Sequence, residues 1–345
     1  MSTRGPATRP ASPVWSAGSE EPARLLVSLP ALDEEATIRD VIAGIPRQLD
    51  GVAEVEILVV DDGSRDATAD IAREAGARVI RHDVTQGVGG AFMTALGYAR
   101  ESGASLFVTI DADGQFDPAD IPCVMAPVLR GEADFATGSR FIDPALEPEM
   151  PRMKRWGNRQ VARIVSGLTG RRFEDVSCGM RCYSREAVLH LNLLGKFTYT
   201  HEVLLDLSFK GLRIVEVPIR VRGEREYGES RVAGSLLRYA INTTRILVGA
   251  YRDYNPLRFF GVLAAALFAP AVLLEGFFFG HYLVAGTFSP HLWAGFSGAA
   301  LGALALLMLF MGMIGDMLNR HRVYLEELLY EQRRRGGERP PADRS

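Results

Sequence analysis

The chain of 345 residues is poor in several features that usually narrow a protein's chemistry. It has three cysteines, Cys123, Cys178 and Cys182, too few and too scattered for a disulfide framework or a four-ligand zinc site. Cys178 and Cys182 are expected to be packed, reduced thiols, in keeping with a cytoplasmic catalytic domain. No charge dominates. The 39 Lys and Arg stand against 42 Asp and Glu, and the net charge of −3 carries no basic surplus pointing to nucleic acid. The first 24 residues hold Arg4, Arg9, Glu20, Glu21 and Arg24 but no apolar run, so no secretory signal is read there. The stretch Gln86-Gly-Val-Gly-Gly90 lacks the Lys-Ser/Thr ending of a P-loop and is no dinucleotide fingerprint. Its glycines are therefore assigned to close packing or ligand approach. No histidine stands in an evident catalytic pattern.

What is present is divided along the chain. Residues 1–22 are rich in Pro, Ser, Ala and Gly without periodicity, which reads as a disordered tail. Residues 23–232 have the mixture of an ordinary α/β domain, and 233–256 that of an amphipathic juxtamembrane helix. Residues 257–316 are almost uncharged and contain two long apolar runs, Leu257 to about Leu283 and Leu292 to about Ile314. Each exceeds the ~20 residues needed to cross a ~30 Å hydrocarbon core as a helix. Residues 317–345 form a basic tail. The near-zero mean hydropathy averages these opposites. Arginines crowd both outer flanks (Arg238, Arg245, Arg252 and Arg258; Arg320, Arg322 and Arg333 to Arg335), whereas the loop Val284–Pro290 has no Lys or Arg. The positive-inside rule then places both flanks, both termini and the α/β domain in the cytoplasm. Glu275 interrupts the first run and must face a partner helix, a protein interface or the membrane edge, leaving room for self-association. Pro270 is a candidate kink.

Within the α/β domain, apolar strands at Arg24–Pro30, Val55–Val60, Ala77–Ile80 and Leu106–Ile110 alternate with helical patterns. That alternation predicts a sheet that is mainly parallel with helices on both faces. Functional groups in such sheets gather at the carboxyl ends of strands. Here those ends carry Pro30 to Glu35, Asp61 with Asp62, and Asp111 with Asp113, three acidic clusters expected to share one crevice. Residues two apart on an extended strand project to the same side, so Asp111 and Asp113 can share one hard cation. Mg²⁺ or Mn²⁺ takes one or two carboxylates and bridges phosphate oxygens, and Gln115 could add a further oxygen. In the Asp61-Asp62-Gly63-Ser64 turn, one carboxylate can hold the loop or cap the next helix while the other accepts hydrogen bonds from a base or ribose. Arg140 and the cluster Arg152, Lys154, Arg155 and Arg159 supply cations suited to phosphate or to a membrane-facing surface. Arg225 and Arg231 lie just before the juxtamembrane helix.

Together these motifs resemble the family 2 glycosyltransferases of GT-A fold, in particular the polyprenyl-phosphate (dolichol-phosphate) mannosyl- and glucosyltransferases, over about residues 24–235. The motif segments are Pro30-Ala-Leu-Asp-Glu34, Val60-Asp-Asp-Gly-Ser64, Asp111-Ala-Asp-Gly-Gln115, Gly138-Ser-Arg-Phe141 and Cys178-Gly-Met-Arg181, followed by Arg225 to Arg231. The resemblance implies a Rossmann-like, mixed but mainly parallel sheet, followed by a juxtamembrane helix and a two-helix membrane hairpin. It implies that Pro30, Leu32, Glu34, Val60, Asp62, Asp111, Ala112, Asp113, Arg225 and Arg231 bind the nucleotide sugar. Asp111, Asp113 and Gln115 would hold Mg²⁺ or Mn²⁺, and Arg140 with Arg155 the acceptor phosphate; Asp113, Arg140 and Arg155 carry the catalytic roles. Four positions depart from the family pattern: Asp33 for Asn, Met180 for an aromatic, Arg231 for Lys and Gly114 for Leu. The implied reaction is inverting transfer of mannose or glucose from a GDP- or UDP-sugar to a polyprenyl phosphate in the bilayer. The alternative is transfer to a glycan hydroxyl, which would need a base such as Glu202, His201 or Asp206.

Overall fold

The computed structural model describes residues 22–193, 199–222 and 236–337, which fall into two compact units, Met1–Tyr239 with Gln332–Ser345 and Ala240–Glu331. Among the described residues the first unit contains strands β1 (Ala23–Ala31), β2 (Val52–Asp61), β3 (Arg78–Arg81), β4 (Leu106–Thr109), β5 (Phe135–Ser139), β6 (Arg181–Ser184) and β7 (Ile214–Pro218). They form one sheet in the order β3-β2-β1-β4-β6-β5-β7. β2 and β4 flank β1 and run parallel to it, and β3 extends the parallel set beside β2. β6 runs antiparallel to both β4 and β5, and β7 is parallel to β5. The sheet is mixed and mainly parallel.

Alternation along the strands feeds two cores. Leu25, Val27 and Leu29 of β1, Ile57 and Val59 of β2 and Val108 of β4 are buried with helices α1 (Ile38–Gly44) and α4 (Ile121–Leu129), through Ile38, Val41, Ile42, Val124 and Met125. The intervening residues meet helices α3 (Val88–Glu101) and α7 (Tyr199–Phe209) on the other face, where an aromatic cluster forms. Phe92 stacks on Tyr199 at 4.1 Å between ring centres, and Tyr183 lies 5.4 Å from Phe107 and 4.8 Å from Phe135. Each fully buried Leu, Val or Phe contributes ~1.5–3 kcal/mol, so these two layers fix the strand order and with it the positions of the strand ends. Met180, where the family has an aromatic, is fully buried in the first of these cores. Cys178 and Cys182 are free, buried thiols, and burial pushes the Cys178 thiol up to about 12. The other α-helices among this unit's described residues are α2 (Thr68–Glu74), α5 (Arg152–Thr169) and α6 (Arg185–His190).

The second unit is helical. It holds most of α8 (Leu236–Tyr254), all of α9 (Pro256–Ala285) and the greater part of α10 (Leu292–Gly337). Among the described residues, α9 and α10 are the two helices long and apolar enough to cross a membrane. Pro270 lies within α9, and the helix continues through it. Glu275 turns toward α10: a Cβ at Gly298 would sit 2.8 Å from its Oε1. A small residue on the neighbouring helix thus makes room for this carboxylate, which faces a partner helix within its own chain. α10 runs well past the apolar stretch, so the segment expected as a basic tail begins as helix.

His201 is almost fully buried on α7, and burial, reinforced by nearby Arg181, pushes its pKa down from 6.5 to about 4. The unfolded chain therefore binds a proton that the folded chain refuses between these values. Stability present above pH 6.5 is lost as pH falls toward 4, on the order of 1–3 kcal/mol. Chemical denaturation of the full chain in detergent should show this loss, and His201→Gln should flatten it. Identical pH slopes for the two proteins would contradict the assignment.

Candidate active site

Because β2, β1 and β4 are adjacent and parallel, their carboxyl ends arrive side by side. Ala31 pairs with Asp61, the Asp62 amide donates to the Ala31 carbonyl at 2.9 Å, and the Ile110 amide donates to Ser28 at 3.0 Å. The loops beyond are stitched together by reciprocal hydrogen bonds. The Asp33 amide donates to Ser64 Oγ (2.9 Å), while Asp33 Oδ1 accepts from the Arg65 amide (2.7 Å). The Glu34 amide donates to Thr68 Oγ1 (2.8 Å), and Glu35 Oε2 accepts from the Ala67 amide (3.0 Å). Asp66 closes the set, accepting from the Thr68 amide (3.0 Å) and the Glu35 amide (3.2 Å). It sits two residues before α2 and forms a side-chain turn there rather than capping the helix. Burial opposes the Asp66 charge, but the Thr68 hydroxyl and these amides outweigh it and hold the carboxyl below 3.8. The third loop joins through Thr37, whose hydroxyl donates to the Ala112 carbonyl at 2.8 Å.

Asp33 has φ 51°, the only non-glycine in the left-handed region among the described residues. Asn and Asp tolerate that region better than other side chains, and both offer an acceptor for the Arg65 amide. The Asn-to-Asp departure therefore keeps both properties the position requires.

In the Asp61–Asp62 pair, both carboxylates are engaged. Asp61 Oδ1 accepts from the Ser64 amide at 2.8 Å and holds the turn; Arg81 Nε lies 3.2 Å from Oδ2, near enough for attraction but outside hydrogen-bond alignment. Asp62 accepts from the Gln86 and Gly87 amides (2.8 and 2.7 Å) and pairs with His82 Nδ1 at 2.7 Å; His82 Nε2 meets Thr94 Oγ1 at 2.8 Å. Asp62 is thus the anchor of the glycine-rich loop. A side chain at Gly90 would overlap Gln86, so that glycine serves packing.

Asp111 follows β4 and its carboxylate lies directly on Gly179, where any Cβ would collide with it. Asp113 is buried and its Oδ1 accepts from the Gln115 amide at 3.0 Å. Gln115 Nε2 donates to the Arg222 carbonyl at 3.2 Å, which orients the side-chain amide. Two carboxylates and an amide oxygen, with a glycine clearing the space behind one carboxylate, suit a hard cation that keeps several waters. Among the described residues no group of three or more His, Cys, Asp or Glu is arranged to hold a metal ion. Pro30, Leu32 and Glu34 are part-buried at the end of β1, whereas Val60 and Ala112 are buried. Those last two support the crevice from within, and their side chains have no surface to offer a nucleotide.

The arginines differ. Arg140 is forked onto Asp175, with Nε at 2.6 Å from Oδ2 and an Nη at 2.8 Å from Oδ1, and also donates to Ser177 Oγ at 2.6 Å. Burial opposes the Asp175 charge, yet Arg140 holds its carboxyl below the ordinary value. Removing one partner of such a buried pair costs ~3–5 kcal/mol. Arg155, on the first turn of α5, is more exposed and pairs with Glu147 at 2.9 Å. Asp175 and Glu147 did not emerge from the sequence, because nothing local to Arg140 or Arg155 marks its partner. Arg225 and Arg231 lie outside the described residues. Of the candidate bases, His201 is interior, and Asp206 is tied to Lys210 at 2.8 Å and to the Asn192 amide at 3.1 Å.

Residues 27–191 match the family described as glycosyl transferase family 2. The undecaprenyl-phosphate mannosyltransferase of Micrococcus luteus is 31% identical over 235 residues, covering 64% of this chain and 93% of that protein. The UDP-N-acetylglucosamine–dolichyl-phosphate N-acetylglucosaminyltransferase of Methanococcus voltae is 34% identical over 212 residues, covering 56% and 83%. Among solved structures, glucosyl-3-phosphoglycerate synthase from Mycobacterium tuberculosis in complex with Mg²⁺ and UDP superposes with a TM-score of 0.51 at 26% identity, covering 66% of this chain and 80% of that one. With this fold and crevice, the chain belongs to glycosyl transferase family 2 and is a glycosyltransferase of GT-A-like architecture.

If Asp33 acts through its left-handed backbone and its acceptor oxygen, Asp33→Asn should retain activity. Asp33→Ala should lose ~1–3 kcal/mol of stability through the unpaired amide and the strained backbone. Equal losses in both variants, by thermal melting and transfer assay, would contradict this.

Proposed function

We propose that the protein transfers a hexose, mannose or glucose, from a GDP- or UDP-sugar to a polyprenyl phosphate in the membrane, with inversion at the anomeric carbon. The observation that carries the acceptor assignment is α5. Arg155 stands on its first turn, and its exposed face carries Met153, Trp156 and Ile164 beside Arg152, Arg159 and Arg163. Aromatic and aliphatic side chains edged with arginine suit a helix face lying at the headgroup level of a bilayer. The names of the Micrococcus and Methanococcus relatives, with undecaprenyl and dolichyl phosphate acceptors, support the same reading. So do the two apolar helices, whose basic flanks would put both termini and the transferase unit on the cytoplasmic side.

The residues act as follows. The loop ends around Pro30, Leu32 and Glu34, with Asp62 holding the glycine-rich loop, shape the nucleotide end of the crevice. Asp111, Asp113 and Gln115 would hold a divalent Mg²⁺ or Mn²⁺, which when bound neutralises charge on the departing diphosphate. Arg155 receives the acceptor phosphate by exchanging its Glu147 partner for it. Arg140, fixed on Asp175 and Ser177, shapes and charges that side of the site. A phosphate oxygen then attacks the anomeric carbon in line as the bond to the nucleotide diphosphate breaks. A phosphate acceptor is already ionised near neutral pH, so positioning and charge stabilisation suffice without a strong base. The interior position of His201 and the ion pair of Asp206 agree with that economy.

Membranes containing the protein, given a panel of labelled nucleotide sugars and polyprenyl phosphate, should yield one labelled lipid. Asp113→Ala should reduce its formation at least about 100-fold. Arg155→Ala should raise the polyprenyl-phosphate concentration needed for half-maximal rate while leaving nucleotide binding intact. Full activity in Asp113→Ala, weakened nucleotide binding in Arg155→Ala, or label appearing only on a glycan hydroxyl would each contradict the proposal.

A further inference from the structure

α10 does not end with its apolar stretch, and its continuation has two unlike sides. One side packs on the chain's own helices. Gly312 lies against Phe260 and Leu257, and a Cβ on Gly315 would sit 2.7 Å from Pro256 Cβ. Asn319 Nδ2 donates to the Tyr254 carbonyl at 3.4 Å, and the Arg322 guanidinium lies over the Tyr254 ring at 3.9 Å while reaching Glu326 at 3.7 Å. Positions 312, 315, 319, 322 and 326 follow a three-four spacing, so they trace one stripe along the helix.

A second stripe at the same spacing consists of Leu318, His321, Leu325 and Leu328. At about 100° per residue it lies about 120° around the helix from the first. It is flanked by Met317, Tyr324 and Leu329. These side chains are exposed: Leu318 by 59%, Leu325 by 60%, Leu328 by 66% and Tyr324 by 70%. Between the stripes Arg320 is satisfied within the helix by Asp316 at 2.8 Å.

Lipid does not account for the far end of this stripe. The apolar span ends near Ile314, and a helix rising about 1.5 Å per residue carries Leu325 roughly 16 Å beyond it. The headgroup layer is only about 5–8 Å deep. A row of leucines in water needs a partner, and a three-four repeat is the pattern by which one helix packs along another. Because α10 is threaded through the bilayer, every copy in one membrane points the same way and stands at the same height. Two such helices meet parallel and in register, bringing Leu318, Leu325 and Leu328 against their own counterparts.

We infer that the exposed stripe Leu318–Leu328 of α10 is a self-association surface, whose occupant is the same stripe of a second copy of this chain in a parallel helical pair just outside the membrane. The inference rests on the reading of α9 and α10 as membrane spans, and not on the donor or acceptor of the reaction.

Single cysteines introduced into the full-length chain test it, in a background with the exposed Cys123 changed to Ser. Leu318→Cys, Leu325→Cys and Leu328→Cys report on the stripe; Arg320→Cys and Val323→Cys are exposed controls off it. Under mild oxidation in native membranes, the stripe variants should form disulfide-linked dimers at least about ten-fold faster than the controls. In the same samples, resistance to alkaline carbonate extraction reads membrane integration, which separates failure of the spans from failure of the pairing. Integrated protein with equal dimer formation at all five positions overturns the inference. So does integrated protein whose stripe thiols are shielded from maleimide yet form no dimer, because the chain itself or lipid then covers them. As an independent check, Leu325→Glu with Leu328→Glu should shift the detergent-solubilised protein from dimer to monomer, and an unchanged mass would overturn the inference as well.

Discussion

The parallel adjacency of β2, β1 and β4 is the constraint on which the site depends. Three strands of one sheet, buried on both faces, must end at nearly the same height, so whatever follows them is delivered to one place. Cross-loop hydrogen bonds then turn proximity into geometry. Thr37 holds the Ala112 carbonyl, Ser64 and Thr68 receive the Asp33 and Glu34 amides, and Asp33 and Glu35 return the bonds. Loops joined in this way cannot shift singly. This is how a crevice lined by repelling carboxylates stays ordered, and such preorganisation is what stabilises developing charge in a transferase.

Within that frame, most of the acidic groups and the two described site arginines are held by partners of the chain's own. Asp61, Asp62 and Asp66 spend oxygens on backbone amides, and Asp175 is consumed by Arg140. Asp113 likewise accepts from the Gln115 amide, Asp111 stands where Gly179 leaves space, and Arg155 holds Glu147 on a helix with an apolar and basic outer face. The family membership accounts for the transfer chemistry. The two apolar helices and the outer face of α5 each support the proposed lipid acceptor.

Legibility followed the range of the interactions. β1, β2, β3 and β4 and the helices between them were readable because their apolar periodicity is local and uninterrupted, and the motif aspartates stand at their ends. The antiparallel insertion of β6 between β4 and β5 was not read strand by strand, since pairing partners far apart leave no local mark. The same reason hid Asp175 behind Arg140, 35 residues away, and Glu147 beside Arg155. Val60 and Ala112 belong to motifs but are buried, because a motif marks a neighbourhood and does not say which side chain faces the ligand. The helical run of α10 was obscured by its polar composition, although its internal ion pairs are the kind that hold a helix in water.

The central claim is that the three stitched strand ends make a nucleotide-diphosphate site completed by a divalent cation on Asp111 and Asp113. Calorimetric titration of the purified full-length protein with GDP and UDP, in Mg²⁺ or Mn²⁺ and again with chelator, addresses it most directly. The account predicts binding of one nucleotide that requires the metal and vanishes with chelator. Equal affinity in chelator, or no binding of either nucleotide under any condition, would contradict it.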